Sequence, residues 1–523
     1  MNFFLNRLKI IYKILTQYFL NRSDLSKKFI SINKINWKDY KTSNVNGEIL
    51  LDYFETFETE LCRGYFANIF AKKNNLKIVI FSNQKNILFN KSWRDIYKSL
   101  NTKKFVYIFW NIIFFKLILN LKKQKKIKVL SNEIYKNLKD KKDIFSFEYN
   151  GILLGRELYD EYLYRFKKPT LKLEDPKLKK LIFESIMIVE YWKNYFITHK
   201  VKAISLSHLN VRFLGIVGKV ASQLFSIPIY SVSPKYIIKF DDVTDNSEFI
   251  KKSILKLKQD FKNLNDNEKE DAINWSKNQI KRKFSGEIGV NMHYSNASAF
   301  SSKISKNVLL QNKKIHNLIC THEFHDNPHS TGGMLFDDFY EWLLFLGEKS
   351  KNEKYNWYIK NHPDTDEWTK KVVNKFLINF PRVILLDGNT SFLQLADEGL
   401  DYVFTCHGTV GHEVPLLGIQ VINADINNPH FCYDFNWNPK NINEYSYLID
   451  NLYSLKKEIN KKEIYEFYYS YNKMGKKDDL IFDSYDLYKM REKNEGKNPV
   501  DIFIDEFTEK KHNKIIRNIN QII

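Results

Sequence analysis

The sequence predicts an α/β fold that contains doubly wound parallel sheets. Between residues 313 and 460, short β-favouring runs alternate strictly with helical segments and are joined by short links. Such alternation is typical of parallel strands connected by crossover helices. Similar strand–helix–strand units occur earlier, at residues 48–82 and 202–233. A chain of 523 residues is also too long for one hydrophobic core, so we expect about two to four domains.

The composition is that of a globular protein with a strong positive charge. Hydrophobic residues make up 43% of the chain, and the formal net charge is +21. Lysine, asparagine and isoleucine are abundant throughout, so part of the charge reflects general amino-acid usage. A basic protein is nevertheless attracted to anionic membrane surfaces and to ligands that carry phosphate. The sequence has no zinc-finger, RNP or helix-turn-helix signature, so nucleic acid is not an expected partner.

The cysteines and the amino terminus indicate a reducing, cytoplasmic location. The four cysteines lie far apart, which argues against a disulfide framework and against a cysteine-based zinc site. Residues 1–21 place basic side chains among apolar ones and lack a small-residue cleavage site, unlike a secretory signal. Their apolar side chains group on one face of a predicted helix. That helix either lies in a membrane interface or packs on the protein body.

The first half of the chain begins with a strand–helix–strand unit, followed by a very apolar segment. The strands EILLDY and LKIVIFS flank a predicted helix at residues 59–73. Residues 105–121 are the most apolar part of the chain but are short for a bilayer crossing. We expect them to form a buried or amphipathic helix that can dip into a membrane surface.

A long helical region leads to the second strand–helix–strand unit. Residues 151–200 are predicted to be helical, and the strands KAISLSHL and IPIYSVS then flank a helix at residues 211–225. His208 falls at the carboxyl end of its strand, where open α/β sheets place residues that contact ligands. A strand-end histidine held by the backbone is the alternative. Residues 240–312 are polar and mostly helical, and connect the two halves.

The second half carries the strict alternation of elements. The predicted strands cover residues 315–321, 355–360, 382–387, 400–406 and 419–424, with helices at 334–351, 365–380, 391–398 and 411–418. Residues 441–523 are expected to form helices that pack back across both domains.

The stretch LDYVFTCHGTVGHEVPLLGIQVIN, residues 400–423, is typical of a strand, a glycine-containing turn, a helix and a strand. Exposed N–H groups at a helix start bind anions, so the turn formed by His407, Gly408 and Thr409 is a candidate phosphate site. Glu413, early in the helix, can reach a ribose hydroxyl. The alternative is a plain strand–turn–helix connection in which Thr409 is only a cap.

Two further loops follow predicted strands and should open on the same edge of the sheet. In KNHPD (360–364), Lys360 and His362 can donate to a phosphate when charged. The loop THEFHDNPH (321–329) is rich in histidines and acids but does not match HExxH. Either Glu323 or Asp326 could act as a general base there. Metal binding and a purely structural turn before Pro328 are the alternatives.

Together these motifs resemble those of bacterial capsule and surface-polysaccharide biosynthesis proteins, which look like glycosyltransferases of the GT-B type. The resemblance covers residues 145–460 and is carried by GILLGRELYDEYLYRF, SLSHLNVRFLGIVGKVA, THEFHDNPH, NWYIKNHPD and TCHGTVGHEVPLLGIQVINA. The pair His362-Pro363 is similar to the HP motif of Kdo-, sialyl- and polysialyltransferases, whose histidine contacts the phosphate of a CMP-sugar. His407, Gly408, Thr409 and Glu413 match the donor-site turn and helix of GT-B enzymes.

The resemblance implies two Rossmann-like domains that face each other across a cleft. The amino-terminal domain, residues 48–240, would bind the acceptor, and the carboxy-terminal domain, residues 313–460, would bind the nucleotide sugar. Residues 1–47 would form an amphipathic helix and linker, residues 241–312 a helical connection, and residues 461–523 helices that pack back on both domains.

The expected activity is sugar transfer from a nucleotide-sugar donor, with a CMP-sugar favoured, to a growing capsular or lipopolysaccharide glycan or a lipid-linked acceptor. No metal or other cofactor is expected, because Lys360, His362 and the turn would stabilise charge on the leaving phosphate. Glu323 or Asp326 is the expected base, and His208 should face them from the other domain. We expect the protein to act in the cytoplasm, at the inner surface of the plasma membrane.

Three alternatives remain open. One is another phosphate-handling enzyme on the same architecture, a polyol-phosphate transferase or a sugar-nucleotide epimerase. Another is a non-catalytic protein of capsule assembly or export. The third is a metal-dependent hydrolase built on residues 322–329.

Overall fold

In the computed structural model, two mostly parallel β-sheets form separate centres of the fold. The predicted helix at residues 1–21 lies outside the described residues, as does 109–120 of the apolar segment. Within the described part of the chain, every helix is too short or too polar to cross a lipid bilayer. The structure describes residues 24–40, 45–54, 56–82, 91–108, 121–209, 211–241, 243, 246–292, 297–300, 306–474, 476, 480–481 and 499–523.

The first sheet has six strands: β1 (Glu48–Asp52), β2 (Lys77–Ser82), β3 (Thr102–Tyr107), β6 (Val201–Leu206), β7 (Ile229–Val232) and β8 (Ile237–Phe240). They lie in the order β3-β2-β1-β6-β7-β8. Neighbours are parallel except β7 and β8, which pair antiparallel at one edge. A short hairpin of β4 (Glu148–Tyr149) and β5 (Ile152–Leu153) stands apart from this sheet.

The second sheet has five parallel strands: β9 (Ile315–Cys320), β10 (Tyr355–Lys360), β11 (Val383–Leu386), β12 (Tyr402–Thr405) and β13 (Gln420–Asn423). Their order is β11-β10-β9-β12-β13. In both sheets the order reverses beside the first strand, which is the Rossmann arrangement. The central strands are apolar and largely buried, because helices cover both faces. The prediction of Rossmann-like parallel sheets is confirmed.

Eighteen described α-helices surround the sheets: α1 (Asp24–Asn36), α2 (Phe57–Asn74), α3 (Lys91–Ser99), α4 (Leu121–Asn137), α5 (Lys141–Phe145), α6 (Gly155–Phe166), α7 (Pro176–Thr198), α8 (Ile216–Phe225), α9 (Asn246–Lys262), α10 (Asp266–Phe284), α11 (Phe339–Ser350), α12 (Glu367–Asn379), α13 (Phe392–Asp397), α14 (Val410–Glu413), α15 (Ile442–Asp450), α16 (Lys461–Asn472), α17 (Pro499–Asp505) and α18 (Glu509–Asn520). Local sequence explains several of their starts. Asp175 caps α7, which has proline at its first position, and Asn265 forms a capping box with Glu268 at α10.

The helix predicted for residues 105–121 is wrong at its beginning. Residues 105–107 belong to β3, which runs parallel to β2 and pairs Phe105 with Ile80 and Val106 with Phe81. A continuous apolar run fits a buried strand as well as a buried helix, so periodicity alone could not separate them. Pairing with β2 selects the strand.

The helix predicted for residues 411–418 is shorter than expected. The α-helical part, α14, ends at Glu413, and a 3₁₀ helix, Val414–Leu417, continues the chain. Pro415 lacks an N–H and cannot donate to residue 411, so the α-helical bonding pattern ends there. The first turn after β12 therefore offers fewer aligned peptide dipoles than a full helix would.

The carboxy-terminal helices contribute to two different cores. Val500 and Phe503 of α17, with Ile515 and Ile519 of α18, join the core on one face of the first sheet. Helix α16 instead packs on α10, and Phe467 and Tyr468 bury their rings beside Leu416 and Ile280.

A buried polar contact joins the helical region of the first half to the loop after β9. His329 Nδ1 lies 2.6 Å from Asp160 Oδ1 of α6, and His329 Nε2 lies 2.7 Å from the carbonyl oxygen of Asp337. Tyr159 donates its hydroxyl to Asp338 at 2.7 Å. Both ring nitrogens of His329 face acceptors, so the imidazolium form satisfies the contact. Burial lowers the pKa of His329, but the charge of Asp160 and the hydrogen bond to it outweigh this effect, so the pKa is raised.

Candidate functional site

The two sheets direct their strand-order reversals toward one pocket. Open α/β sheets bind ligands outside the carboxyl ends of the strands at this reversal. In the first sheet the reversal lies between β1 and β6. Phe54 lies just beyond the end of β1, and Ser207 and His208 follow β6. In the second sheet it lies between β9 and β12, and β12 is followed by the turn that contains Thr409.

The pocket between these ends has a volume of about 1050 Å³. Its walls come from both sheets, from α10 and its following loop, and from the end of α16. Five of its lining residues are lysine or arginine, and Glu58 is the lining acid in the described part of the chain. The polar and aromatic lining includes Ser207, His208, Ser233, Lys235, Tyr236, Gln279, Arg282, Lys283, Asn291, Thr409, His412, Tyr468, Lys473 and Lys476. This charge balance favours an anionic ligand.

Two lysines of the pocket, Lys235 and Lys476, show the effect of placing several positive charges close together. Burial and the neighbouring Lys235 lower the pKa of Lys476 to about 8. An anion bound between them would relieve the repulsion and restore the charge on Lys476.

His208 stands at the first-sheet side of the pocket. Its Nδ1 lies 3.2 Å from Ser207 Oγ, and its ring lies 5.2 Å from that of Phe54. Burial lowers the pKa of His208, against the opposing charges of Asp52 and Asp326. Asp326 is exposed in the loop after β9, so it acts on His208 from the second-sheet side. The negative charge of Asp326 therefore opposes the effect of burial on His208, although Asp326 itself does not line the pocket.

Lys360, the last residue of β10, is the most unusual cation of the second sheet. It is only 3% exposed, and its ammonium lies 4.9 Å from the centre of the Phe392 ring. Among the described residues, no carboxylate forms an ion pair with it. Burial lowers the pKa of Lys360, while the more distant Asp387 and Glu413 act in the opposite direction. A buried ammonium that no carboxylate balances is costly, so an anion bound nearby would stabilise it.

His362, two residues after Lys360 in the HP pair, is exposed. Its Nδ1 accepts a hydrogen bond from the backbone N–H of Asp364 at 3.2 Å. Burial of the ring lowers the pKa of His362 against the opposing charge of Asp364, and Lys360 and Lys283 lower it further. The ring is therefore neutral near pH 7 and carries its proton on Nε2, which makes that nitrogen a hydrogen-bond donor.

The turn after β12 is held from several sides. His407 Nδ1 lies 3.1 Å from Asp425 Oδ2, and a Cβ added at Gly333 would lie 2.3 Å from the other oxygen of Asp425. Thr409 lines the pocket and does not cap α14 with its side chain, unlike the capping alternative. The carboxylate of Glu413 is buried and paired with the ammonium of Lys283 from α10.

The loop after β9 uses most of its polar side chains for local structure. His322 stacks on Phe339 at 4.6 Å and accepts from the N–H of Cys406 at 3.3 Å. Glu323 accepts from the N–H of Asp366 at 2.9 Å, at the start of α12, and burial raises its pKa. Neither residue lines the main pocket. To act as a base, Glu323 would have to give up its hydrogen bonds to the start of α12. Of the two predicted acids, exposed Asp326 is therefore the one more available for proton transfer.

One cluster has the composition of a metal site. Ligand atoms of Glu323, His325 and Asp366 lie within 4.8 Å of one another. However, the ammonium of Lys167 hydrogen bonds to His325 Nε2 and lies 4.0 Å from Asp366. A bound cation would have to displace this ammonium against its charge.

We therefore expect dialysis against a chelator to leave the melting temperature unchanged, as measured by differential scanning fluorimetry. The Lys167→Gln variant is the control, because it removes the competing charge and opens the cluster to added Zn²⁺. Zinc retained at one ion per chain by the wild-type protein, together with a lower melting temperature after chelation, would contradict this expectation.

The predicted site residues fall into two groups. His208 and Thr409 line the pocket, and the predicted residues that do not line it are Glu323, Asp326, Lys360, His362, His407, Gly408 and Glu413. The charges of Lys360 and Glu413 nevertheless act on the pKa of His362. Sequence reasoning missed Lys283, the lysines of residues 473–476 and the buried Asp52 that supports His208. Asp52 could have been predicted, because it is an acidic residue at the end of the apolar strand EILLD.

Fold and pocket together describe an α/β protein in which the pocket between the two sheets favours an anionic ligand. No protein-family model matches the sequence, and no curated protein is significantly similar to it. Among solved structures, the chain is similar to a glycosyltransferase from Rickettsia africae ESF-5. The two are 12% identical, and the match covers 89% of this chain and 100% of that chain with a TM-score of 0.25. A score this low does not establish a common fold.

Proposed function

We propose that this protein is a glycosyltransferase that takes a sugar from a nucleotide-sugar donor. The observation that carries the proposal is the Lys360 ammonium, which is buried at a strand end and has no ion-pair partner among the described residues. The basic pocket opens at the carboxyl edge of the same sheet, where Thr409 lines it. The phosphate of a nucleotide sugar would supply the missing negative charge. The expected sequence motifs and the strand-order reversals of both sheets support the same position for the donor.

The chemistry follows from these groups. When the bond between the anomeric carbon and the phosphate oxygen breaks, negative charge develops on the leaving phosphate. Lys360 as a cation and His362 as a neutral Nε2–H donor would stabilise that charge, together with the hydroxyl of Thr409. A sugar acceptor would enter from the first-sheet side, where His208 and Asp326 can receive a proton from its hydroxyl.

The finer features of the function extend this proposal. We propose a GT-B arrangement, in which residues 48–240 bind the acceptor and residues 313–460 bind the donor, with a CMP-sugar as the favoured donor and no metal required. The acceptor would be a capsular or lipopolysaccharide glycan, or a lipid-linked precursor, at the inner face of the plasma membrane. The HP pair and the net charge of +21 support the donor and the membrane surface respectively.

A thermal-shift panel of CMP, UDP, GDP and CDP tests the donor class, because a ligand that binds only the folded state raises the melting temperature. We expect one of these nucleotides to do so, and His362→Ala to weaken its binding about 10-fold, since a charge-assisted contact is lost. Isothermal titration with nucleotide and with acceptor separates the two sites, because acceptor affinity should stay unchanged.

The matched control is His199→Ala, a histidine at the end of α7 that does not line the pocket. Equal losses of both ligands in His362→Ala would contradict the donor assignment. Release of CMP from CDP-glycerol, rather than from a nucleotide sugar, would identify a polyol-phosphate transferase instead.

A further inference from the structure

A buried charged cluster lies beneath His208 at the end of β1. The guanidinium of Arg63 is fully buried and lies 2.6 Å from Asp52 and 2.8 Å from Glu60. It also donates to the carbonyl oxygen of Ser205 at 3.1 Å. Burial raises the pKa of Glu60 to about 8, so Glu60 is mostly protonated near neutral pH. Asp52 is then the carboxylate that balances the charge of Arg63.

Ser207 connects this carboxylate to His208. The backbone N–H of Ser207 donates to Asp52 Oδ1 at 2.9 Å, and its hydroxyl donates to Asp52 Oδ2. A carboxylate can only accept, so the hydroxyl proton of Ser207 points to Asp52. The oxygen of Ser207, 3.2 Å from His208 Nδ1, is then left as an acceptor for an Nδ1–H.

We propose that Asp52 and Ser207 are positioning residues that hold His208 as its Nδ1–H tautomer, so that Nε2 is the atom that takes the proton from the acceptor hydroxyl. The proposal rests on the proposed function, which supplies the acceptor. The hydrogen-bond chain from Arg63 through Asp52 and Ser207 to His208 carries it. The same chain orients the ring, since the partner of one ring nitrogen determines the role of the other.

The proton and electron balance of the step is simple. The acceptor oxygen bonds to the anomeric carbon while its proton passes to His208 Nε2. The bond from the anomeric carbon to the donor phosphate breaks, and its electron pair leaves with the phosphate. His208 is then an imidazolium that still donates from Nδ1 to Ser207, and it returns its proton to solvent after the product leaves.

The charged groups around His208 suit this role. Asp52 and Arg63 lie beneath it, Arg212 belongs to the 3₁₀ helix Arg212–Leu214, and Asp326 in the loop after β9 acts on it as a negative charge. The two carboxylates favour the imidazolium formed in the reaction. Burial and the two arginines favour the neutral ring beforehand.

The first arm of the test reads the tautomer directly. Nitrogen-15 NMR of histidine-labelled protein, with His208→Gln to identify the signal, should show Nδ1 protonated and Nε2 unprotonated above the pKa of His208. Ser207→Ala should shift this signal to a mixture of tautomers. Ser205→Ala is the matched control, because this buried hydroxyl of β6, two residues before Ser207, has no hydrogen-bond partner in the described residues. A wild-type ring protonated on Nε2, or no change in Ser207→Ala, would overturn the proposal.

The second arm reads the reaction. Correct orientation is part of a general-base effect of about 10²- to 10⁴-fold, so Ser207→Ala should lower kcat about 10- to 100-fold. The KM for the donor should stay unchanged, and the lower limb of the pH–rate profile should move. Ser207→Thr, which keeps the hydroxyl, should restore the rate. An unchanged kcat in both Ser207→Ala and His208→Gln would overturn the proposal. If none of the nucleotides binds, the proposed glycosyltransferase function is contradicted. The NMR measurement of the His208 tautomer still tests whether Asp52 and Ser207 position the ring.

Discussion

Replacing Lys360 with methionine is expected to lower kcat/KM for glycosyl transfer about 100-fold while making the folded protein more stable. Removing one preorganised charge that faces a leaving group typically costs about 10²- to 10³-fold in rate. Methionine keeps the length and the packing against Phe392 but removes a buried ammonium that has no ion-pair partner in the described part of the chain. Steady-state kinetics and chemical denaturation measure the two effects.

The stability gain should depend on pH with a defined sign. Burial lowers the pKa of Lys360 below that of an unfolded lysine. The charged form therefore penalises the native state at neutral pH, and the penalty fades as the pH rises toward the unfolded pKa of about 10.4. The advantage of the Lys360→Met variant should be largest near neutrality and should shrink at alkaline pH.

Lys219 provides the matched control. It is also buried, but its ammonium is paired with Glu157 at 2.6 Å and donates to the carbonyl oxygen of Leu153. Lys219→Met leaves a buried carboxylate without its partner, so it should destabilise the protein by about 3 kcal/mol without changing nucleotide affinity. Unaltered nucleotide binding in Lys360→Met, or a destabilisation equal to that of Lys219→Met, would contradict the anion-site assignment.

The second large effect is expected at the contact between α6 and the loop after β9. Asp160→Asn should lower the free energy of unfolding by about 3 kcal/mol, because it leaves a buried imidazolium without its carboxylate. His329 and Asp160 are 7% and 1% exposed, so water cannot replace the lost partner. Asp450→Asn is the matched control. Its carboxylate pairs with Lys349 at the surface, and its loss should cost less than about 1 kcal/mol.

The pH dependence of this contact follows from the raised pKa of His329. A histidine whose pKa is higher in the folded state contributes stability that is fully present below its unfolded pKa of about 6.5. That contribution is lost as the pH rises through the folded pKa. Denaturation curves across this range should show falling stability for the wild-type protein and a flatter profile for Asp160→Asn. Parallel profiles for the two proteins would show that His329 is not charged in the folded state.

Most strands of both sheets could be predicted from the sequence, because buried parallel strands are short apolar runs bounded by turn residues. The error at residues 105–107 has a specific cause. Phe105 and Val106 belong to an apolar run that suits a helix equally well, and only pairing with β2 selects the strand. Likewise, Pro415 was compatible with a first helical turn, whereas the structure ends the α-helix at Glu413.

Part of the candidate site could also be predicted from the sequence, and part could not. Strand ends identified His208, Lys360 and Thr409, because parallel strands carry their ligand-contacting residues at the carboxyl edge. Nothing in the local sequence showed that Glu323 would be taken up by the start of α12, or that Lys167 would sit against His325. Those contacts join residues far apart in the chain, and sequence spacing carries no information about them.

The sequence by itself determined the fold class, the chemistry available at each strand end and the positive charge of the protein, since these depend on local residue patterns and composition. Only the tertiary structure decided which strand ends meet, that Lys360 is buried with no ion-pair partner among the described residues, and that Asp52 reaches His208 through Ser207. The physical reason is that burial and hydrogen-bond partnership depend on how distant segments pack. The same lysine or histidine has a different charge and a different role in each environment.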